Sequence, residues 1–396
     1  MDIVIISNFC SNLSGNGNNR FLYLSKLLSK RHSVELITSS FSHSEKKQRY
    51  AAEIVDLPFK VTLVDEPGYS KNISPQRFFS HQTWGANVLE YLRSRKKPDL
   101  IYCAIPSLTA PAKVGEYCKE IGCRFVLDVQ DLWPEAFAMA FNVPIISSLA
   151  FIPFKNLADK AYSSADAIIA VSETYMRRAS LANSKAAIKK IVYLGTDLSE
   201  FDSYVSTGGN ACNHGAITLA YCGTLGNSYD LDLAIDAVRI AQDRTERRIR
   251  FLVMGSGPYE AQFKEHASET GIDCRFTGRL PYGDMCRLLS ASDIAINPIK
   301  KGSAGSIINK HADYAAAGVP VINTQESPEY RNLVECYSMG VNCSCGSVEE
   351  TAKALSLLVN NDDLRTKMGV NSRKCAEELF DRSRTYRELA ELLETI

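Results

Sequence analysis

The sequence lacks an excess of charge of either sign: across 396 residues Lys+Arg and Asp+Glu each total 45. With no net field and no polybasic run there is no stripe to neutralise phosphates, so nucleic acid is not an expected partner. A clean apolar run is also missing. The one long charge-free stretch, 136–154, is interrupted by Asn142, Pro144, Ser147, Ser148 and Pro153, short of the ~20 apolar residues that span a bilayer. It reads either as a buried helix and loop or as a patch that leans on a membrane surface from one side. The twelve cysteines follow no repeating spacing, which fits reduced thiols in the cytoplasm better than a disulfide framework. Cys343 and Cys345 have neither a second pair nor a histidine cluster beside them, so no metal site is expected. The first seven residues are apolar but too short and too poor in basic residues for a leader, and read as a first strand.

What is present is alternation. Short β-branched runs alternate with longer amphipathic segments, the pattern of parallel strands joined by crossover helices, and the class expected is α/β. The length exceeds what one core usually sustains, so two domains are expected. In the first half the strands fall at 3–7, 34–38, 60–64, 100–103, 124–128, 167–171 and 190–193, with helices such as 19–29 and 108–121 between them. The pattern breaks after Asp197, and 206–215 is small, polar and glycine-rich, the composition of a flexible connection. A second series opens at 217–222 and continues at 249–254, 274–277, 294–297 and 319–323. These readings give a first domain over 1–205, a second over 216–380 and a final segment over 381–396. In that segment Tyr386, Leu389, Leu392 and Leu393 share a helical face suited to return to the first domain.

Chemistry-bearing residues gather where strands end. The first strand runs into a turn containing Gly15 and Gly17, followed at once by a helix; such a turn admits a ligand to backbone N–H groups at a helix start. As a dinucleotide fingerprint its glycine spacing is wrong, and a turn that only shapes the loop is the alternative. After the strand at 124–128 comes Asp128-Val-Gln-Asp131-Leu-Trp133-Pro-Glu135. Carboxylates there suit proton transfer from an acceptor hydroxyl, by Asp131 or Glu135, and Trp133 suits stacking on a sugar ring. A plain helix cap by Asp128 or Asp131 is the competing reading.

In the second half Gly223-Thr224, Gly255-Ser-Gly257 and Gly278-Arg279-Leu280 follow successive strands. Singly these are weak signals; together they mark a nucleotide-binding sheet edge. The stretch 300–320 is stronger: a small-residue loop with Gly305 and Ser306 opens a helix that carries Asn309, Lys310 and, one turn on, Asp313. Free N–H groups and the lysine suit a diphosphate, and the aspartate suits both ribose hydroxyls. The bland alternative is a buried alanine-rich helix with Gly318 as its C-terminal cap and Lys310 in solvent.

The order of these motifs resembles the retaining family 4 glycosyltransferases of the GT-B fold, especially the bacterial surface-polysaccharide branch that transfers N-acetylated amino sugars. Its carriers include Pro98-Asp99-Leu-Ile-Tyr, the Asp128 to Glu135 run, Ala165-Asp166 to Ser172, Tyr193-Leu-Gly195-Thr-Asp197, Gly255-Ser-Gly257-Pro258 and Asn309-Lys310-x-x-Asp313-Tyr-x-Ala-Ala-Gly318. The resemblance implies two Rossmann-like domains facing across a cleft and a UDP-sugar donor. It implies a saccharide or lipid-linked saccharide acceptor in capsule or O-antigen synthesis, work at the inner face of the plasma membrane, and neither metal nor other cofactor. Where the family places a glutamate against the donor sugar this chain has Gly305, and its Arg and Lys phosphate clamp corresponds to Thr224 and Tyr229. Lys310, with Lys300 or Lys301, is left to neutralise the leaving nucleotide. Those departures keep two other readings open, a GT-B-fold sugar-nucleotide epimerase and a catalytically silent partner of a transferase.

Overall fold

The computed structural model describes residues 1–10, 13, 19–50, 54, 56–72, 74–134, 146–206, 215–303 and 306–396, with backbone alone over 146–151. The chain divides into two compact units, Met1–Tyr193 with Tyr386–Ile396, and Leu194–Thr385.

The first unit is a seven-stranded sheet whose spatial order is Lys60–Val64, Ser33–Ser39, Asp2–Ser7, Leu100–Ile105, Arg124–Val129, Ala167–Ala170 and Ile188–Ile191. All its pairs are parallel. Parallel strands are covered on both faces and therefore read as continuous apolar runs; Ile3, Val4, Ile5 and Ile6 are each fully buried. That is why their positions are legible in the sequence to within a residue or two. The strand order reverses between Asp2–Ser7 and Leu100–Ile105, and open α/β sheets bind ligands beyond the carboxyl ends at that point. One short antiparallel hairpin, Phe41–Ser42 with Lys47–Gln48, stands on the carboxyl end of Ser33–Ser39.

The second unit repeats the plan with six parallel strands in the order Asp273–Gly278, Arg248–Met254, Ala216–Cys222, Ile294–Asn297, Val321–Asn323 and Gly340–Asn342. Its reversal lies between Ala216–Cys222 and Ile294–Asn297. Gly340–Asn342 has no counterpart in the sequence reading: at three residues, all half-buried, it is too short to show a period. A core of Leu219, Tyr221, Ile235, Val238, Phe251 and Leu355 joins the sheet to helices Leu231–Gln242 and Val348–Val359. Each such fully buried large side chain contributes roughly 1.5–3 kcal/mol.

One sequence expectation is adjusted. The boundary lies at Tyr193/Leu194, ahead of the glycine-rich stretch. The reason is helix Leu198–Ser206, in the region where the pattern was expected to break down. It packs so closely on helix Tyr282–Ser290 that a Cβ on Gly283 would lie 2.7 Å from the Tyr204 ring, and Asp202 pairs with Arg373 at 2.7 Å. Residues 207–214, where the boundary was expected, lie outside the described residues. The last helix, Arg382–Thr395, does return from Tyr386 onward to the first unit's core, with Tyr386, Leu389 and Leu393 fully buried. Of the charge-free stretch, 136–145 lie outside the described residues; helix Ile146–Ser164 begins beyond them. Phe154 packs on Phe78 with ring centroids 4.7 Å apart. No helix among the described residues is long and apolar enough to cross a membrane.

Candidate functional site

In the second unit three strand ends are strapped to one another by backbone. Gly223 N donates to the Met254 carbonyl at 2.9 Å, Leu225 N to Ser256 at 3.0 Å, and Gly255 N to Gly278 at 2.9 Å. The approach is possible only without side chains: a Cβ on Gly255, whose φ is 153°, would sit 1.8 Å from the Gly223 carbonyl oxygen. Gly223 itself has φ 140°, and a Cβ there would meet Lys310 Nζ at 2.9 Å.

Lys310 lies in the first turn of helix Asn309–Ala316 and is 7% exposed. Its Nζ stands 4.0 Å from the Tyr221 ring centroid and 3.9 Å from that of Tyr229, and has no hydrogen-bond partner among the described residues. Burial lowers its pKa to about 7. A buried amine between two aromatic faces is partly stabilised by their quadrupoles, yet its three donors are unmet, a costly arrangement unless a ligand meets them. The bland reading with Lys310 in solvent is therefore overturned.

Asp313, one turn on, is equally buried; Tyr282 donates its hydroxyl to Oδ1 at 2.8 Å and shares it with Thr196 at 2.7 Å. Burial raises the Asp313 pKa to about 6, against the opposing pull of the Tyr282 hydrogen bond. Beside it a ladder of side-chain amides, absent from the sequence reading, closes the floor. Asn297 donates to Asn323 at 2.9 Å and to Gln325 at 3.1 Å, and Gln325 donates to the Ser306 carbonyl at 2.9 Å. His311 is kept neutral by burial, stacks on Tyr330 with ring centroids 3.4 Å apart and receives Ile308 N at Nδ1. The Ser306 hydroxyl and Asn297 Oδ1 are buried without a partner among the described residues. The site is thus built around Gly223, Gly255, Lys310, Asp313 and Ser306. Thr224, Arg279 and Asn309 are exposed, and Leu280 is half-buried in the turn before Tyr282–Ser290; Gly305 lies outside the described residues.

In the first unit the Asp128 to Glu135 run separates into two parts. Asp128 is fully buried in a bidentate pair with Arg20, at 2.9 and 3.2 Å, and holds structure. Beyond it, both Asp131 oxygens already accept hydrogen bonds, from Leu132 N at 2.8 Å and Trp133 Nε1 at 3.1 Å. Burial raises the Asp131 pKa. Trp133 is 5% exposed, with the Arg77 guanidinium 4.3 Å from its ring centroid and the His81 ring stacked at 5.5 Å. Its ring is thus covered by protein. Gly15, Gly17 and Glu135 lie outside the described residues. Among the described residues no group of three or more His, Cys, Asp or Glu is placed to hold a metal ion.

Residues 209–375 match the family model described as glycosyl transferases group 1. A GDP-mannose-dependent monoacylated alpha-(1-6)-phosphatidylinositol monomannoside mannosyltransferase of Corynebacterium glutamicum is 27% identical over 132 residues, 32% of this chain and 34% of its own. An uncharacterized glycosyltransferase of Haemophilus influenzae is 27% identical over 126 residues, 32% and 35% of the two chains. The chain thus spans about a third of the length of these curated relatives. Among solved structures, Anabaena HepE in complex with UDP superposes with a TM-score of 0.73 over 100% of both chains at 16% identity. WaaG, a glycosyltransferase involved in lipopolysaccharide biosynthesis, does so with 0.69 over 98% and 99% at 14% identity. The fold is GT-B. The region matched by the family model contains Lys310, Asp313 and the strapped glycine turns.

Proposed function

We propose that the chain is a retaining glycosyltransferase that moves a sugar, an N-acetylated amino sugar, from a UDP-sugar to a saccharide or lipid-linked saccharide acceptor. The setting proposed is surface-polysaccharide synthesis, capsule or O-antigen, on the cytoplasmic side of the membrane and in peripheral contact with it. The observation that carries the reading is the buried Lys310 amine, unmet by any hydrogen-bond acceptor among the described residues, at the sheet's reversal point beneath Gly223. Tyr229 occupies the position where the resembled family has a cation, and the Lys310 ammonium comes to within 3.9 Å of that ring. The cation is supplied from the helix instead of the loop. HepE, of the same fold, is crystallised with UDP and with UDP-glucose, which supports the choice of a uridine nucleotide.

Departure of the diphosphate develops negative charge, and a cation in a buried, water-poor setting stabilises it far more than one in solvent. Lys310 with the start of helix Asn309–Ala316 does this without a metal. Asp313 takes the ribose hydroxyls, with Tyr282 fixing its orientation. The Ser306 hydroxyl faces the donor where the family's glutamate is replaced by Gly305. The leaving phosphate takes the proton of the acceptor hydroxyl on the same face, so the step needs no strong protein base, and Asp131 and Glu135 orient that hydroxyl.

A thermal-shift panel with UDP, UDP-N-acetyl sugars, GDP-mannose, CDP and NAD tests the reading. A ligand at about a hundred times its Kd stabilises by ~2.7 kcal/mol. Stabilisation confined to uridine nucleotides is expected, and stabilisation by NAD or GDP-mannose alone would sink the UDP assignment. Asp313→Ala is expected to weaken UDP binding by more than about tenfold, roughly 1.4 kcal/mol, in titration calorimetry; unchanged affinity removes the ribose role.

A further inference from the structure

The carboxyl ends of three adjacent strands in the first unit carry a cluster that the donor chemistry does not use. Phe9 follows Asp2–Ser7, His43 and Lys46 stand on the hairpin after Ser33–Ser39, and Tyr69 follows Lys60–Val64. Helix Pro75–Ser94 brings Arg77 and His81 against them. The Arg77 guanidinium lies 5.5 Å from the ring centroids of both Phe9 and Tyr69, and Lys46 Nζ lies 4.6 Å from that of Tyr69. Phe9, His43 and Lys46 are half-buried and form its accessible side.

Two further observations point to a ligand. Among the described residues, Asn8 Oδ1 and His81 Nε2, on residues 4% and 3% exposed, have no hydrogen-bond partner. The local field is also positive. Burial first, then Arg77 and Lys46, lower the pKa of His43 to about 4 and of His81 to about 3. Lys46 itself is lowered by burial and by Arg77. Glu66, which accepts from Asn8 at 2.8 Å and Ser80 at 2.6 Å, and Asp131, which accepts from Leu132 and Trp133, are the counter-charges: Glu66 pulls the pKa of Lys46 up and both pull that of Arg77 up, yet burial leaves the net shift of each downward. Two cations this close, with both histidines held neutral, form a place that resists a proton and attracts an anion.

We propose that this cluster binds the acceptor and that the acceptor is an acidic saccharide, its ring against Phe9 and its anionic group on Lys46 and Arg77. The proposal rests on the transferase reading and names its substrate class. Aromatic faces take the apolar side of a pyranose, unmet polar atoms take its hydroxyls, and a planar guanidinium takes a carboxylate or phosphate in two hydrogen bonds.

The test uses the full chain and three probes in titration calorimetry and saturation-transfer NMR: cellobiose, cellobiouronic acid and N-acetylglucosamine 1-phosphate. At least one acid is expected to bind about tenfold or more tighter than cellobiose, and whichever acid does so identifies a carboxylate or a phosphate. The preference should collapse in Lys46→Gln and Arg77→Gln and in about 0.5 M salt. Lys46→Gln, half-exposed, answers the question even if Arg77→Gln does not fold. Equal binding of all three probes, no binding of either acid, or a preference that survives Lys46→Gln overturns the inference. UDP affinity is measured on the same samples. Retained UDP binding confines a failure to the acceptor class, whereas its loss in the wild-type chain takes the transferase reading with it.

Discussion

Arg20 in the first unit and Lys310 in the second are both buried cations at a ligand-binding edge, and the two are treated oppositely. Arg20 in the first unit has every N–H accounted for: Asp128 takes two, Tyr386 one at 2.8 Å, and Tyr102 with the carbonyls of Val192 and Tyr193 take the rest at 3.2–3.4 Å. Asp128 and the ring of Tyr386, 4.9 Å away, hold its charge. Lys310 in the second unit has two aromatic faces and, among the described residues, no acceptor. A guanidinium in a complete cage fixes structure; an amine left unmet stores unfavourable energy that a bound anion releases. The difference separates the residue that holds the last helix in place from the residue that meets the donor.

The contrast breaks most visibly in stability. Arg20→Met leaves Asp128 charged and buried, and removing one member of such a pair typically costs about 3–5 kcal/mol, to be read in urea unfolding. In Arg20→Met/Asp128→Leu the losses should be strongly non-additive, since no charge is then stranded. A single variant within about 1 kcal/mol of wild type would mean the cage is ornamental. Lys310→Met should go the other way, stabilising the ligand-free protein by about 1–3 kcal/mol while abolishing UDP stabilisation.

The sign with pH follows from linkage. The folded pKa of Lys310, about 7, lies below its unfolded value, so the penalty is full below pH 7 and disappears as pH rises toward the unfolded pKa. The advantage of Lys310→Met should therefore be largest below neutrality. A Lys310→Met chain that is less stable there would place the amine in a satisfying environment.

Donor binding sharpens the same contrast by a smaller effect. A diphosphate beside Lys310 raises its pKa, so the complex holds more protons than the free protein above pH 7. UDP affinity should weaken by up to about tenfold per pH unit above neutrality, beyond any change in a Lys310→Met control. Calorimetry at several pH values reads it directly, and a flat profile would mean that the phosphates do not sit against this amine.

The strands that carry both sites were legible because a parallel sheet demands unbroken apolar runs, and Lys60–Val64 and Ile294–Asn297 are recovered to the residue. The helix of Lys310 and Asp313 was legible as a local motif. Its sandwich was not, because Tyr221 and Tyr229 lie some eighty to ninety positions earlier in the chain and nothing near them encodes the meeting. The unit boundary was misplaced for the same reason: glycine-rich composition is local, while the attachment of helix Leu198–Ser206 rests on Tyr282–Ser290 and Arg373. Arg77, His81 and Lys46 carry no motif of their own, and only strand order brings them together. Asp128 and Asp131, three residues apart, read as one cluster, yet Asp128 is held by Arg20 and Asp131 by Leu132 and Trp133.

A third cation completes the series at its weak end. His266 on helix Glu260–Thr270 sits between two carboxylates of helix Leu231–Gln242, with Nδ1 2.8 Å from Asp232 and Nε2 3.0 Å from Asp236. The Asp232 hydrogen bond leads in raising its pKa, so its stabilising effect is complete below the unfolded pKa and disappears as pH climbs through the folded one. All three side chains are substantially exposed, between 26% and 39%, and water and salt screen the pair. His266→Ala should therefore cost only about 0.5 kcal/mol at roughly pH 5.5 and nothing measurable near pH 8.5, with the acid-side loss shrinking in high salt. A larger cost, or one independent of pH, would show that neighbouring packing rather than charge joins these helices. Exposure would then not separate this cation from the two buried ones.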